Sequence, residues 1–303
     1  MEKLFDDLQR VGARFDTLIL FWLGEPLIHP QFEAIYRGAL KANRETQVFG
    51  KIELHTNATH LNPAATEIAL NNEDIEQVWH FSLDAASHKT YLRIKGMDRL
   101  TIVEENLARF LETKAKRSAR WPRVVFQYIL SSANQEEAAL FGRRWKRVCE
   151  RAGLPVRLAA QHVPPGEDAI VFFRQLDCPT AEMQAHQNRV FRERIAEMGL
   201  SLVEAKQAPV ELNEENLKPC SGFWKSPVIG WNGEVTVCTR DNRFENSIGN
   251  LKDAPFSELW WSAEQEERRR RVSQGDYSGC SLCQTCFIPK SSNYTGISPE
   301  EIR

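Results

Sequence analysis

Cys220, Cys238, Cys280, Cys283 and Cys286 lie in the last third of a 303-residue chain. Two spacings organise them: C-x17-C in CSGFWKSPVIGWNGEVTVC and C-x2-C-x2-C in GCSLCQTCF. Thiolates separated by two residues can reach one metal centre from a single loop, and two more from elsewhere complete four-fold thiolate ligation. Between the first pair, PVIGWNGEVTVC reads as a hairpin that turns at Asn232-Gly233, with the second strand delivering Cys238. Structural zinc usually takes two C-x2-C knuckles, whereas a 4Fe–4S cluster tolerates a wide pair like this one. Iron–sulfur is therefore favoured, with zinc as the alternative. Four ligands suffice, so five cysteines include one more than the centre uses. Unrelated buried thiols are a poor account of these spacings. The other two of the seven cysteines, Cys149 and Cys178, stand alone. An odd total in a chain whose first residues, MEKLFDDLQR, hold no apolar signal core argues for metal or redox chemistry over disulfides.

A second set of candidates stands where apolar runs stop. Four such runs end in polar clusters: LGEP, HTNA, FSLDAAS and QYILSSAN. One polar strand end is ordinary turn chemistry, but four in succession read as the rim of one pocket. Glu25 would put a carboxylate there, able to pair with an ammonium group, and Gly24 would let backbone approach a ligand closely. Asn57, Ser82 and Asp84 also have plain structural readings, as a turn former, a strand-end hydroxyl and a helix N-cap.

The elements that must position these groups alternate. LFDDLQRV is helical, DTLILFWL a strand, QFEAIYRGALKANRE a helix, KIELHTN a strand and NPAATEIALNN a helix. EQVWHFSLD, IVEENLARFLETKAKR, RVVFQYIL, QEEAALFGRRWKRVCERAG and PVRLAAQHV continue the alternation. Strands alternating with helices of this length predict βαβ units and a mainly parallel sheet. From about residue 164 the texture changes: HVPPGEDA is a loop, HQNRVFRERIAEMG a polar helix and ELNEENLKP an acidic connector. EQEERRRRV is expected to be a solvated helix face with Glu–Arg pairs rather than a phosphate site. Trp260-Trp261 is expected to pack rather than to form a contact patch. A net charge of −2 with 42% apolar and 26% charged residues argues against nucleic-acid binding, and no apolar run could span a membrane. The expected location is cytoplasmic.

With these segments in order, nearly the whole chain resembles the radical S-adenosylmethionine enzymes that carry a C-terminal SPASM or twitch-type iron–sulfur domain. LGEPLIHPQF is similar to their Gly-Gly-Glu-Pro segment, with Leu23 at the first glycine. HTNAT is similar to Thr-Asn-Gly, with Ala58 at the glycine, and FSLDAASHKTYLRIKG to the segment ending in Ser-hydrophobic-Asp. Cys220, Gly233 and Cys238 match the auxiliary-cluster motif, and SIGNLKDAPFSELWWS resembles the Gly-Asn…Leu-Trp stretch that follows. The resemblance implies that Gly24, Glu25 and Pro26 hold the amino end of S-adenosylmethionine, and that Asn57, Ser82 and Asp84 face its nucleoside or the substrate. It implies a 4Fe–4S auxiliary cluster on the five late cysteines, a peptide, protein or small-molecule substrate, and an electron donor such as flavodoxin or ferredoxin.

One element of the family pattern is missing. Its C-x3-C-x2-C loop, which binds the catalytic cluster, precedes the first barrel helix; nothing of that kind stands before Gly24, and solitary Cys149 cannot replace it. Without a first strand, the strand at residues 18–23 would present an open edge, which proteins normally avoid. The expectation is therefore a fragment of a longer oxidoreductase or maturase, whose intact form cleaves S-adenosylmethionine reductively to abstract hydrogen from its substrate. The alternative is a non-catalytic metal-binding scaffold derived from that family. The predicted fold is α/β: a partial (β/α)6-type barrel missing its first strand over residues 1–163, a bridging segment over 164–211, and a small α+β iron–sulfur domain over 212–303. No catalytic residue is assigned.

Overall fold

The computed structural model describes residues 2–72, 74–202, 212–213, 217–291, 294, 296–298 and 300–301. They fall into two compact units, one of residues 14–207 and one of residues 2–13 with 208–303.

In chain order the elements are α1 (Glu2–Arg10), β1 (Phe15–Ile19), α2 (Phe32–Thr46), β2 (Phe49–Thr56), α3 (Pro63–Leu70), β3 (Gln77–Ser82), α4 (His88–Lys95), α5 (Leu100–Lys116), β4 (Arg123–Leu130), α6 (Ala138–Arg151), β5 (Val156–Ala160), β6 (Ala169–Gln175) and α7 (Ala181–Glu197). α8 (Gly222–Lys225), β7 (Val228–Ile229), β8 (Glu234–Thr236), β9 (Ser247–Asn250), α9 (Phe256–Trp260), α10 (Ala263–Ser273) and α11 (Ser281–Gln284) follow.

The first unit is built on a six-stranded sheet in the order β1-β2-β3-β4-β6-β5, with every neighbouring pair parallel. Alternation along each strand sorts the side chains. Trp79 and Phe81 of β3 and Phe126 of β4 meet Phe110 of α5 and Trp145 of α6; Trp79 stacks on Phe110 at 5.8 Å and Phe126 on Trp145 at 4.7 Å. Each of these rings is at most 2% exposed, and full burial of a side chain this large contributes roughly 1.5–3 kcal/mol. The opposite face carries Val78, Val125, Ile170 and Phe172 as a separate apolar cluster. Helix starts follow sequence: Asn62 accepts from the Ala65 N–H at 2.8 Å ahead of Pro63, and Ser87 and Thr180 cap α4 and α7 in the same way.

Two features depart from the expected division. Residues 169–175, assigned to the bridge, are a core strand: β6 inserts between β4 and β5. AIVFF is a continuous apolar run, buried on both faces, so it lacks the alternation that marks a half-exposed strand. The amino-terminal helix also does not belong with the sheet. Phe5 and Leu8 of α1 are buried in the second unit, where Asp7 accepts from the Ser257 N–H and hydroxyl, both at 2.7 Å, at the start of α9. The strand read over residues 16–23 is shorter, ending at Ile19. The acidic connector lies partly outside the described residues.

Lys114 of α5 is 1% exposed and donates to the carbonyls of Ala119 and Arg120, closing the turn into β4. Burial pushes its pKa from 10.5 down to about 8 against a small opposing pull from Asp168. Between those two values the unfolded chain keeps a proton that the folded chain has released, so stability rises with pH. Unfolding free energy should gain up to ~3 kcal/mol across that window, a slope of ~1.4 kcal/mol for each pH unit. Denaturant titrations of Lys114→Met should lose this pH dependence, from a lower starting stability because two carbonyls lose their donor.

Candidate metal centre and strand-end rim

In the second unit the predicted hairpin forms. Val228 pairs with Thr236 and Ile229 with Val235, and Gly233 turns the chain at φ +89° with its N–H on the Gly230 carbonyl at 3.0 Å. β9, which the pattern did not predict, adds a third antiparallel strand. Cys238 follows the end of β8 by two residues. A Cβ on Gly222 would lie 2.4 Å from the Val237 carbonyl oxygen. Only glycine allows the Cys220 turn to approach the Cys238 strand so closely.

Two tyrosines fix that turn. The Tyr277 hydroxyl accepts from the Cys220 N–H at 2.9 Å and donates to the Lys218 carbonyl at 2.7 Å, and the Tyr294 hydroxyl accepts from the Ser221 N–H at 2.6 Å. Asp241, 1% exposed, organises the loop after Cys238. It accepts from the Thr236 hydroxyl at 2.6 Å and from the N–H groups of Glu245 and Asn246 at 2.8 and 2.9 Å. Asn246 then donates its amide to Cys283 Sγ at 3.3 Å, and the Arg240 N–H donates to Cys238 Sγ at 3.3 Å. Cys280, Cys283 and Cys286 sit on the tight turns around α11, joined by the Cys283 N–H to Cys280 carbonyl bond (2.9 Å) and the Cys286 N–H to Cys283 carbonyl bond (3.2 Å).

The five sulfurs share one neighbourhood. Burial raises the pKa of Cys220 and of Cys238, and charge at Cys286 adds to both. Cys280 and Cys283 hydrogen-bond to each other, so ionisation of one opposes that of the other: Cys280 falls to about 7 while Cys283 rises, with Cys220 and Cys238 also bearing on it. A metal that requires thiolates would offset those burial costs and release protons on binding. Cys149, buried in α6 and pushed up to about 12, and buried Cys178 lie in the other unit. Tyr277 and Asn246 reach Cys220 and Cys283 across 57 and 37 residues, and Asp241 acts through a hydroxyl and two backbone N–H groups, so cysteine spacing points to none of them.

In the first unit the strand ends join in pairs. Glu25 Oε1 accepts from the Leu27 N–H at 3.1 Å and the Thr56 hydroxyl at 2.5 Å, while Oε2 accepts from the Asn57 N–H at 2.7 Å. Gly24 precedes it at φ +107°, and Pro26 opens a short helical turn. Asn57 accepts from the Thr59 N–H and hydroxyl at 2.9 and 2.6 Å, the turn-forming arrangement. Ala58, where a glycine was expected, keeps the left-handed conformation at φ +62°. Ser82 accepts from the Gln127 amide at 3.4 Å. Asp84 does not cap α4, which Ser87 caps instead. It accepts from the Ile129 N–H at 2.7 Å and pairs with Lys95 at 2.6 Å, itself at φ +60°. Tyr91, raised to about 12 by burial and then by the carboxylates of Asp84, Asp98 and Glu25, senses both pairs of strand ends. Glu137, not singled out from sequence, accepts from the N–H groups of Ala86 and Ser87 and locks the loop after β3.

The remaining expectations concern α10 and the tryptophans. The expected Glu–Arg pairs form, Arg268 with Glu264 and Arg270 and Arg271 with Glu267, but only Arg270 is well exposed, and Arg268 also donates to the Ser247 carbonyl at 3.0 Å. Arg269 instead lies over the Trp260 ring at 4.8 Å and donates to the Phe223 carbonyl at 2.8 Å. Trp260 is buried against Phe256, and Trp261 is 44% exposed. Among the described residues no helix is long and apolar enough to cross a membrane.

Residues 220–287 match SPASM, an iron–sulfur cluster-binding domain. No curated protein matches the chain. Among solved structures, hexahistidine-tagged anSMEcpe with bound AdoMet superposes with a TM-score of 0.51 at 13% identity, over 94% of this chain and 80% of that one. Native anSMEcpe with bound AdoMet and Kp18Cys peptide gives 0.52 at 12% identity, over 90% and 74%. At such identities the likeness is one of fold. Residues 220–287 thus carry the SPASM match, and the parallel sheet that precedes them shares the fold of these structures.

Proposed function

We propose that the protein is the cluster- and S-adenosylmethionine-binding body of a radical S-adenosylmethionine oxidoreductase or maturase that acts on a peptide. The observation that carries this reading is the set of late cysteines gathered in the second unit, with N–H donors on the sulfurs of Cys220, Cys238 and Cys283. A four-thiolate centre needs such donors, which offset negative charge on sulfur and tune the potential. Once bound, a 4Fe–4S cluster supplies single-electron transfer.

The rim supports the second ligand. Glu25 is anchored by three donors, and a carboxylate has lone pairs enough to take an ammonium group as well. Asn57, Ser82 and Asp84 stand on the strand ends beside or beyond it, for the nucleoside or the substrate. The peptide class rests on the relative of this fold solved with a bound peptide, and an electron donor such as flavodoxin or ferredoxin follows from the redox chemistry. Reductive cleavage needs a second cluster, on a C-x3-C-x2-C loop that these 303 residues do not contain. That same sequence fact favours a second reading, a non-catalytic iron–sulfur or zinc scaffold.

Iron, sulfide and zinc analysis of the anaerobically reconstituted chain separates the two metals. About four irons and four sulfides per chain are expected. Stoichiometric zinc without sulfide would overturn the electron-transfer role.

A further inference from the structure

Glu53 and His55 of β2 and His80 of β3 project from the face of the sheet that also carries Phe21. The parallel register sets His55 opposite His80. A ring nitrogen from each histidine and a Glu53 oxygen all lie within 4.8 Å of one another. Glu53 Oε2 is 3.5 Å from His55 Nε2 and 3.7 Å from His80 Nε2. Ligands ~2.0–2.2 Å from a tetrahedral zinc stand about 3.3–3.5 Å apart, close to the two Glu53–histidine separations.

Two further observations point to a ligand. His55 Nε2 is buried with Glu53 Oε2 no nearer than 3.5 Å, and His80, whose side chain is only 8% exposed, leaves its Nδ1 without a hydrogen-bond partner. Buried polar nitrogens normally find partners, because an orphan loses its bond to water and gains nothing in return. Hydrogen bonds within the cluster do not use up Glu53: Lys51 takes Oε1 at 2.8 Å and leaves Oε2 facing the imidazoles. Lys51 and the more distant Arg174 are the cations that oppose ion binding here.

We propose that Glu53, His55 and His80 form a second metal site, independent of the cysteine centre, for a divalent first-row transition ion of the zinc class. Two imidazoles and one carboxylate are the ligand set that such ions favour while keeping coordination positions open. The His55 ring stacks between Phe21 (5.3 Å) and His80 (4.2 Å). Two near-parallel rings cannot both hold one ion in plane, so binding includes a rotation of the His55 ring.

The test is equilibrium dialysis of the cluster-loaded full chain against zinc, with zinc-edge X-ray absorption on the product. One zinc per chain beyond the cluster metal, in a nitrogen/oxygen shell without sulfur, is expected. Glu53→Gln and His55→Gln should each weaken it by more than ~100-fold, beyond the usual effect of losing an outer-shell partner. His55 is only partly buried, so His55→Gln with an unchanged thermal midpoint covers the case in which His80→Gln fails to fold. No zinc uptake, sulfur in the shell, or uptake unchanged in both Glu53→Gln and His55→Gln would overturn the proposal.

Discussion

Cys238→Ala is expected to strip the second unit of iron and sulfide, because a four-thiolate centre has no spare ligand at the hairpin end. Cys238 sits just beyond β8, held by the Arg240 N–H, and no other cysteine emerges from that strand. The consequence extends to stability. This unit has short strands and helices of four to eleven residues, so a cluster that binds only the folded form contributes its binding energy to folding. Its thermal transition should therefore fall sharply or broaden, while that of the sheet unit stays in place. Cys149→Ala is the matched control: it should cost ~1–2 kcal/mol of packing in the sheet unit and leave iron and sulfide unchanged. Gly222→Ala tests the geometry with all five sulfurs retained. Its Cβ would meet the Val237 carbonyl, so the Cys220 turn must move away and cluster content should drop.

Glu25→Gln should weaken S-adenosylmethionine binding about 10- to 100-fold, the loss of one charge-assisted hydrogen bond worth ~1.5–3 kcal/mol. Calorimetric titration measures it directly. Part of the loss comes from within the protein, since the glutamine amide must turn its NH2 toward the Asn57 N–H or toward the donors on the other oxygen. Thr56→Val separates the contributions. It removes one internal bond to Glu25 Oε1 and leaves the charge. If Thr56→Val weakens binding as much as Glu25→Gln does, Glu25 is a staple between strand ends and not the ammonium partner.

Much of this protein is legible in its chain because the controlling interactions are local. The Asn232-Gly233 turn needs only a left-handed glycine between two short apolar runs, and the hairpin follows. The cysteine spacings sit on turns whose geometry spans a few residues. The βα alternation is written in switches of hydrophobic period, and the family pattern survives even where its residues change: Ala58 keeps the left-handed backbone expected of a glycine. Arg269 marks a limit of the same reasoning, since a run of four arginines looks uniform until one finds a tryptophan ring.

Tertiary structure alone decided the rest. Nothing local says that residues 169–175 enter the sheet between β4 and β5, because strand order depends on which edge offers the larger buried apolar face. Nothing local sends α1 to α9; the Asp7 carboxylate meets Ser257 across 250 residues of chain. The Glu53–His55–His80 cluster is the clearest case. His55 and His80 are 25 positions apart, and a register shift of one residue would place them on opposite faces of the sheet. Sequence supplied the ligand types, and parallel pairing set by the packing of Ile52, Leu54, Trp79 and Phe81 under the helices brought them within reach of one ion.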